Sequence, residues 1–167
     1  MCIRDRLEVM ANGSLNYTVK GICIGIKVTW HYTPPTNGGD TFTSIKKGSK
    51  ATLKIVQDEK NGFVKELYIQ KEPDIDNRTF EAQLQKTVEQ LQITYPFLSV
   101  KNKKNGTYLI DIPQEKRLGH EEHFSKVAKA FLHYVHNQDM PEWENENTLA
   151  KYYITTTAVE MAKKGNK

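Results

Sequence analysis

The chain has 167 residues, 38% hydrophobic and 26% charged, with 24 lysines and arginines against 20 acids for a formal charge of +4. That length suits one domain with its own core, the composition excludes disorder over most of it, and no apolar run approaches the ~20 residues of a membrane-spanning helix. The charge is too mild to mark a nucleic-acid or membrane-surface protein, and Cys2 and Cys23 give neither a disulfide framework nor a metal-ligand spacing.

Residues 1–6, Met1-Cys2-Ile3-Arg4-Asp5-Arg6, fit poorly with the rest of the chain and resemble one reading frame of a transposon end used in sequencing libraries. They are set apart as non-native, which leaves 7–167 as a single domain, and the natural protein is expected to continue upstream. A targeting segment would lie in that upstream part, so the sequence does not decide between cytoplasm and periplasm.

The first half reads as antiparallel strands. Leu7–Met10 suits the end of a strand, and Leu15, Tyr17 and Val19 alternate in the next. Ile22 to Thr33 alternates most clearly: Ile22, Ile24, Ile26, Val28, Trp30 and Tyr32 face one way, and Cys23, Gly25, Lys27, Thr29, His31 and Thr33 the other. Trp30 is therefore expected in the core. Asn12-Gly13, Asn61-Gly62 and Asn105-Gly106 can each supply the positive φ angles of a tight hairpin. They are expected to join Leu7–Met10 to Leu15–Lys20, Ala51–Val56 to Phe63–Gln70, and Leu98–Asn102 to Thr107–Ile112. Lys47-Gly48-Ser49-Lys50 lacks the earlier glycine of a phosphate loop and reads as a turn between strands.

Helical periodicity marks three further segments. Phe80, Leu84, Val88 and Leu91 form one stripe, with Pro96 beyond it. His120, Phe124, Val127, Phe131 and Tyr134/Val135 form the second, between Gly119 and Pro141. Ala150, Tyr153/Ile154, Thr157/Ala158 and Met161 form the third, with Lys163, Lys164 and Gly165 suited to a helix end. The fold class is α+β: a mainly antiparallel open sheet with one inserted helix and two C-terminal helices.

Chemistry-bearing patterns are sparse. No Gly-x-Gly-x-x-Gly opens a βαβ unit. His120 and His123 stand at i and i+3 without the spacing or cysteines of a zinc site, so no metal ligand set is assigned. The lysines at 46, 47 and 50 and at 101, 103 and 104 have no interleaved aromatics and read as solvated turns. The candidate substrate-side residues are His31, Thr29 and Lys27, on the polar face of the Ile22–Thr33 strand, and Asp40 in the loop after it. A histidine there can act as acid or base, although an ordinary sheet-surface role fits it as well.

The C-terminal half carries a recognisable order of motifs. It runs Gly119-His120-Glu121-Glu122-His123-Phe124, Met140-Pro141-Glu142-Trp143, then Asn147-Thr148-Leu149-Ala150-Lys151-Tyr152-Tyr153-Ile154-Thr155-Thr156-Thr157-Ala158. With Val28-Thr29-Trp30-His31-Tyr32, Gly39-Asp40-Thr41 and Gly48-Ser49-Lys50-Ala51 before it, this resembles the C-terminal end of the glucose–fructose oxidoreductase / inositol dehydrogenase (Gfo/Idh/MocA) family. The particular branch is the putative oxidoreductase C-terminal domain, and the likeness covers nearly all of Leu7 to Lys164.

The resemblance implies a two-domain enzyme. An N-terminal Rossmann domain would bind NAD or NADP, this domain would face a sugar-like or cyclitol substrate, and its sheet would build a homo-oligomer. The Glu-Lys-Pro catalytic motif of the family is not in this sequence; Glu72-Pro73 and Gln114-Glu115-Lys116-Arg117 are different patterns. The cofactor and catalytic residues are therefore expected in the missing Rossmann domain, none of them in this chain, and the isolated chain is expected to be inactive. No nucleic-acid or membrane partner is expected. A stand-alone assembly or binding module, pairing copies through the sheet, is the alternative if Met1 is a true start. A small hydrolase built on His31 and Asp40 ranks last, because no nucleophile constellation accompanies them.

Overall fold

A computed structural model of the chain describes residues 12–36 and 38–165. Two compact units emerge, one made of residues up to 33 together with residues from 125 onward, the other of Pro34–Phe124. All strand pairs among the described residues are antiparallel. The α+β expectation holds, with the strands divided between a two-stranded and a five-stranded sheet.

In the first unit, β1 (Gly13–Val19) and β2 (Ile22–Val28) form a hairpin with Val19 opposite Ile22 and Gly13 opposite Val28. Lys20 and Gly21 close it with φ values of 49° and 79°, the two left-handed residues of a type I′ turn. The expected pairing of Leu7–Met10 across Asn12-Gly13 lies outside the described residues, as do residues 1–6; Gly13 itself is the first residue of β1.

The strand expected to reach Thr33 stops at Val28. Its partner β1 begins opposite that residue, so the described ladder ends there, and the Asn12 side chain takes over: its Oδ1 accepts from the Trp30 N–H at 2.6 Å. Pro34 and Pro35, just beyond, have no N–H to continue a ladder. Trp30 is 74% exposed, so the expectation of a core tryptophan is corrected. Alternation continues in the letters after the pairing that gives it meaning has ended.

The second unit is a five-stranded sheet of order β3-β4-β5-β7-β6. Its strands are β3 (Phe42–Lys47), β4 (Ala51–Gln57), β5 (Glu66–Lys71), β6 (Ser99–Asn102) and β7 (Thr107–Asp111). β3 has no clear sequence signature, because this edge strand mixes apolar and polar residues on both faces. Gly48 and Ala51 hydrogen-bond across the β3–β4 turn at 2.9 Å, as the reading of Lys47–Lys50 requires.

Asn105-Gly106 turns β6 into β7 as expected, with Lys104, Asn105 and Gly106 at φ 75°, 49° and 70°. Asn61-Gly62 does not make a tight two-residue hairpin. A 3-10 turn at Glu59–Asn61 intervenes, held by a reciprocal cap in which Asp58 accepts from Lys60 N–H and Asn61 accepts from Asp58 N–H. Gly62 then supplies the left-handed exit at φ 62°.

Helix α1 (Asn77–Gln92) covers one face of this sheet. Asp76 starts it by accepting from the Thr79 N–H at 2.8 Å. Phe80 packs against Tyr108 with ring centroids 5.7 Å apart, and the Tyr108 hydroxyl donates to Glu81 at 2.9 Å. Register puts Val100, Ile110, Leu67, Ile69, Leu53 and Ile55 on this same face. Val88, Tyr108 and Leu109 are the buried apolar side chains, so the core centres on β7.

Helix α2 (His120–Asn137) starts in the second unit and continues into the first, and α3 (Glu142–Gly165) comes after Pro141. The third helical stripe starts at Ala150 in the sequence, but the helix begins at Glu142, where Pro141 suits a helix start.

Candidate functional site

Lys27 lies on β2 opposite Ser14, and both are exposed. Thr29 and His31 lie past the end of that strand and are also exposed, so the shared strand face that links them in the sequence extends no further than Lys27. The Asn12 amide donates to Nδ1 of His31, an arrangement that leaves the proton of a neutral ring on Nε2. Together with the Asn12 contact to Trp30, it fixes the chain as it leaves the hairpin. Asp40 belongs to the second unit, where it is exposed and its carbonyl accepts from the Gln57 side chain at 2.9 Å.

A second polar assembly escapes sequence reasoning. On the face of the five-stranded sheet opposite α1, register aligns Lys101, Leu109, Tyr68, Lys54 and Ile45 in one row. Gln70 and Thr107 pair beside them, with the Thr107 hydroxyl donating to Gln70 at 2.6 Å. The Tyr68 hydroxyl donates to Glu66, and Lys101 pairs with Asp111 at 2.6 Å. The Tyr68 hydroxyl is pushed up to about 12, first by its hydrogen bond to Glu66 and then by burial and the negative charge of that carboxylate. The alternation Glu66-Leu67-Tyr68-Ile69-Gln70 is a signal for this face, since every second residue is polar or hydroxylated.

Lys71 lies on the α1 side and is buried. Its Nζ donates to the carbonyls of Glu72 at 2.9 Å, Pro73 at 3.4 Å and Ile75 at 2.5 Å, clamping the loop that leads into α1. Thr52, also buried, donates to Glu72 at 2.9 Å from the other side of that loop. These contacts position the sheet and helix; they present no reactive atom to solvent.

The helix starts do not fit a dinucleotide pyrophosphate, which needs free N–H groups and a close glycine-lined approach. At α1 the N-terminal donor of Thr79 is already taken by Asp76. The N–H of Gly119, before α2, donates to Glu122 at 2.7 Å, and Glu121 adds a second acid to that turn. Helix α3 begins with Glu142 and Glu144. Negative charge at each start opposes another anion. No group of three or more metal-ligating side chains lies together among the described residues.

No curated protein matches the chain. A solved structure does: a putative oxidoreductase from Parabacteroides merdae ATCC 43184, with a TM-score of 0.87 and 39% sequence identity. The match covers 91% of this chain but 35% of the other, so the chain spans little more than a third of its solved relative. The family described as "Putative oxidoreductase C terminal domain" matches residues 2–163. The chain belongs to this oxidoreductase C-terminal domain family.

Proposed function

We propose that the chain is the substrate-side and oligomerisation domain of a longer NAD(P)-dependent oxidoreductase of the Gfo/Idh/MocA type, acting on a sugar or cyclitol derivative. The observation that carries this reading is the family match over residues 2–163, joined to a solved oxidoreductase of which this chain covers 35%. Three helix starts already occupied or flanked by acids support placing the dinucleotide on another part of the polypeptide. That part would supply hydride chemistry; this one would supply shape and hydrogen bonds to the substrate.

Lys27, Thr29, His31 and Asp40 are the proposed substrate contacts. His31 has a ring nitrogen that Asn12 does not engage, which suits it to a substrate hydroxyl. The polar sheet face around Tyr68, Lys54 and Lys101 is the proposed surface between copies. Its mixed charges suit a symmetric contact in which each residue meets a complement.

The test is His31→Ala in the longer enzyme. Loss of a charged or polar substrate hydrogen bond typically lowers kcat/KM by about tenfold to a hundredfold, while thermal stability stays within a few degrees because the residue is exposed. Unchanged kinetics would remove His31 from the site.

A further inference from the structure

The chain holds three Asn-Gly pairs, Asn12-Gly13, Asn61-Gly62 and Asn105-Gly106. Beyond shaping turns, such a pair carries a reaction of its own. The amide nitrogen of the glycine can attack the side-chain carbon of the asparagine, because no Cβ stands in its way. The fold governs this reaction through the two groups that take part, the glycine N–H and the asparagine amide.

At Asn61 both groups are engaged. Its Oδ1 accepts from the Asp58 N–H at 2.8 Å, and its Nδ2 donates to the Val56 carbonyl at 2.9 Å. The Gly62 N–H donates to the Glu59 carbonyl at 3.2 Å. The Asn12 side chain is taken at both ends, by the Trp30 N–H and by the His31 ring. Asn105 differs. It is exposed, and among the described residues neither its side-chain amide nor the Gly106 N–H has a hydrogen-bond partner. The bonds at this turn go to carbonyls instead: Gln70 donates to Asn105 at 3.1 Å, and the Lys71 N–H to Gly106 at 2.8 Å.

Ring closure also needs the turn to open, since the left-handed pair at φ 49° and 70° holds the peptide in its turn geometry. That opening is local. β6 is a four-residue strand at the edge of the sheet, the kind of element that opens well short of global unfolding.

We infer that Asn105 is a site of self-modification, with the chain as reagent and water as co-reactant. The Gly106 nitrogen bonds to Cγ of Asn105, the Cγ–Nδ2 bond breaks, and ammonia leaves with the proton that the nitrogen gives up. Water then adds to one of the two carbonyls of the resulting succinimide. Opening at Cγ gives aspartate; opening at the backbone carbonyl gives isoaspartate, with the main chain routed through the side chain. Nothing is oxidised or reduced. Both products set a carboxylate beside Lys103 and Lys104, and isoaspartate also lengthens the backbone by a methylene. That displaces the Gly106 carbonyl from the Lys71 N–H, where β5 meets the entry to β7.

The experiment ages the folded chain in mildly alkaline buffer and follows both pairs by peptide mapping, with aspartate and isoaspartate peptides separated by chromatography. A parallel sample is aged in urea. There Asn61 and Asn105 should convert at one rate, since both lie in Lys-Asn-Gly. In the folded chain Asn105 should convert at least about tenfold faster than Asn61, whose three bonds must break first.

Equal conversion in the folded chain, or faster conversion of Asn61, would overturn the inference. So would an Asn105 that converts in urea and stays intact in the folded chain, because the turn would then protect it. A preference for Asn105 already present in urea would assign the selectivity to flanking sequence rather than to the fold, and overturn it as well.

Discussion

Tyr68 and Lys71 show how neighbouring residues on one strand serve opposite sides of the sheet. Tyr68 donates to Glu66 on the polar face, and its pKa is raised from 10.0 to about 12. A proton held more tightly in the folded state stabilises it fully below the unfolded pKa of 10.0, and that stabilisation is lost as pH rises through the folded value. Glu66→Gln should therefore bring Tyr68 ionisation back toward 10, read as tyrosinate absorbance. An unchanged titration would mean that Glu66 is not its cause. On the α1 side, Lys71→Met should cost about 1 kcal/mol of stability by stripping the donor from the half-buried carbonyls of Glu72 and Ile75, seen as a lower urea midpoint with an unchanged slope. The sequence marks neither residue. The letters Tyr-Ile-Gln-Lys give the alternation, but a lysine at its end gives no sign that it will be buried beneath a loop.

At the scale of elements, turn chemistry is the most legible signal where backbone geometry alone decides it. Asn105-Gly106 makes its hairpin because its residues accept positive φ. Gly106 stands at φ 70°, and a Cβ there would approach the Lys71 side chain at 3.4 Å. Gly106→Val should therefore destabilise the chain by at least about 1 kcal/mol, measured as a lower melting temperature; an unchanged one would show that the turn tolerates a branched side chain. Asn61-Gly62 presents the same letters with a different outcome, since Asp58 caps a 3-10 turn before the chain reverses. The helices are legible from their stripes, and the start of α3 is not, because the polar Glu146 and Asn147 separate Trp143 from the Ala150–Met161 stripe on the same face. The β1–β2 turn does not stand out because Lys20-Gly21 lacks an asparagine, although it adopts the same left-handed pair.

For the whole molecule, the α+β class comes from the order of periodicities: strands first, one helical stripe inserted, then two at the end. The division into two sheets does not, because pairing partners are long-range choices that alternation alone does not encode. The candidate site is the least legible feature. Lys27, Thr29 and His31 are linked in the sequence through a strand that ends at Val28, and although the alternation in β5 signals a polar face at Tyr68, the row that joins it to Lys54 and Leu109 is visible only once the register is known.

The central claim is that this chain supplies the substrate side of an enzyme whose dinucleotide is held by another part of the polypeptide. The most direct measurement is a fluorescence titration of NADH and NADPH against the isolated chain and against the longer polypeptide. The account predicts saturable binding of one dinucleotide by the longer polypeptide and none by the isolated chain. Saturable binding to the isolated chain, or none to the longer polypeptide, would contradict it.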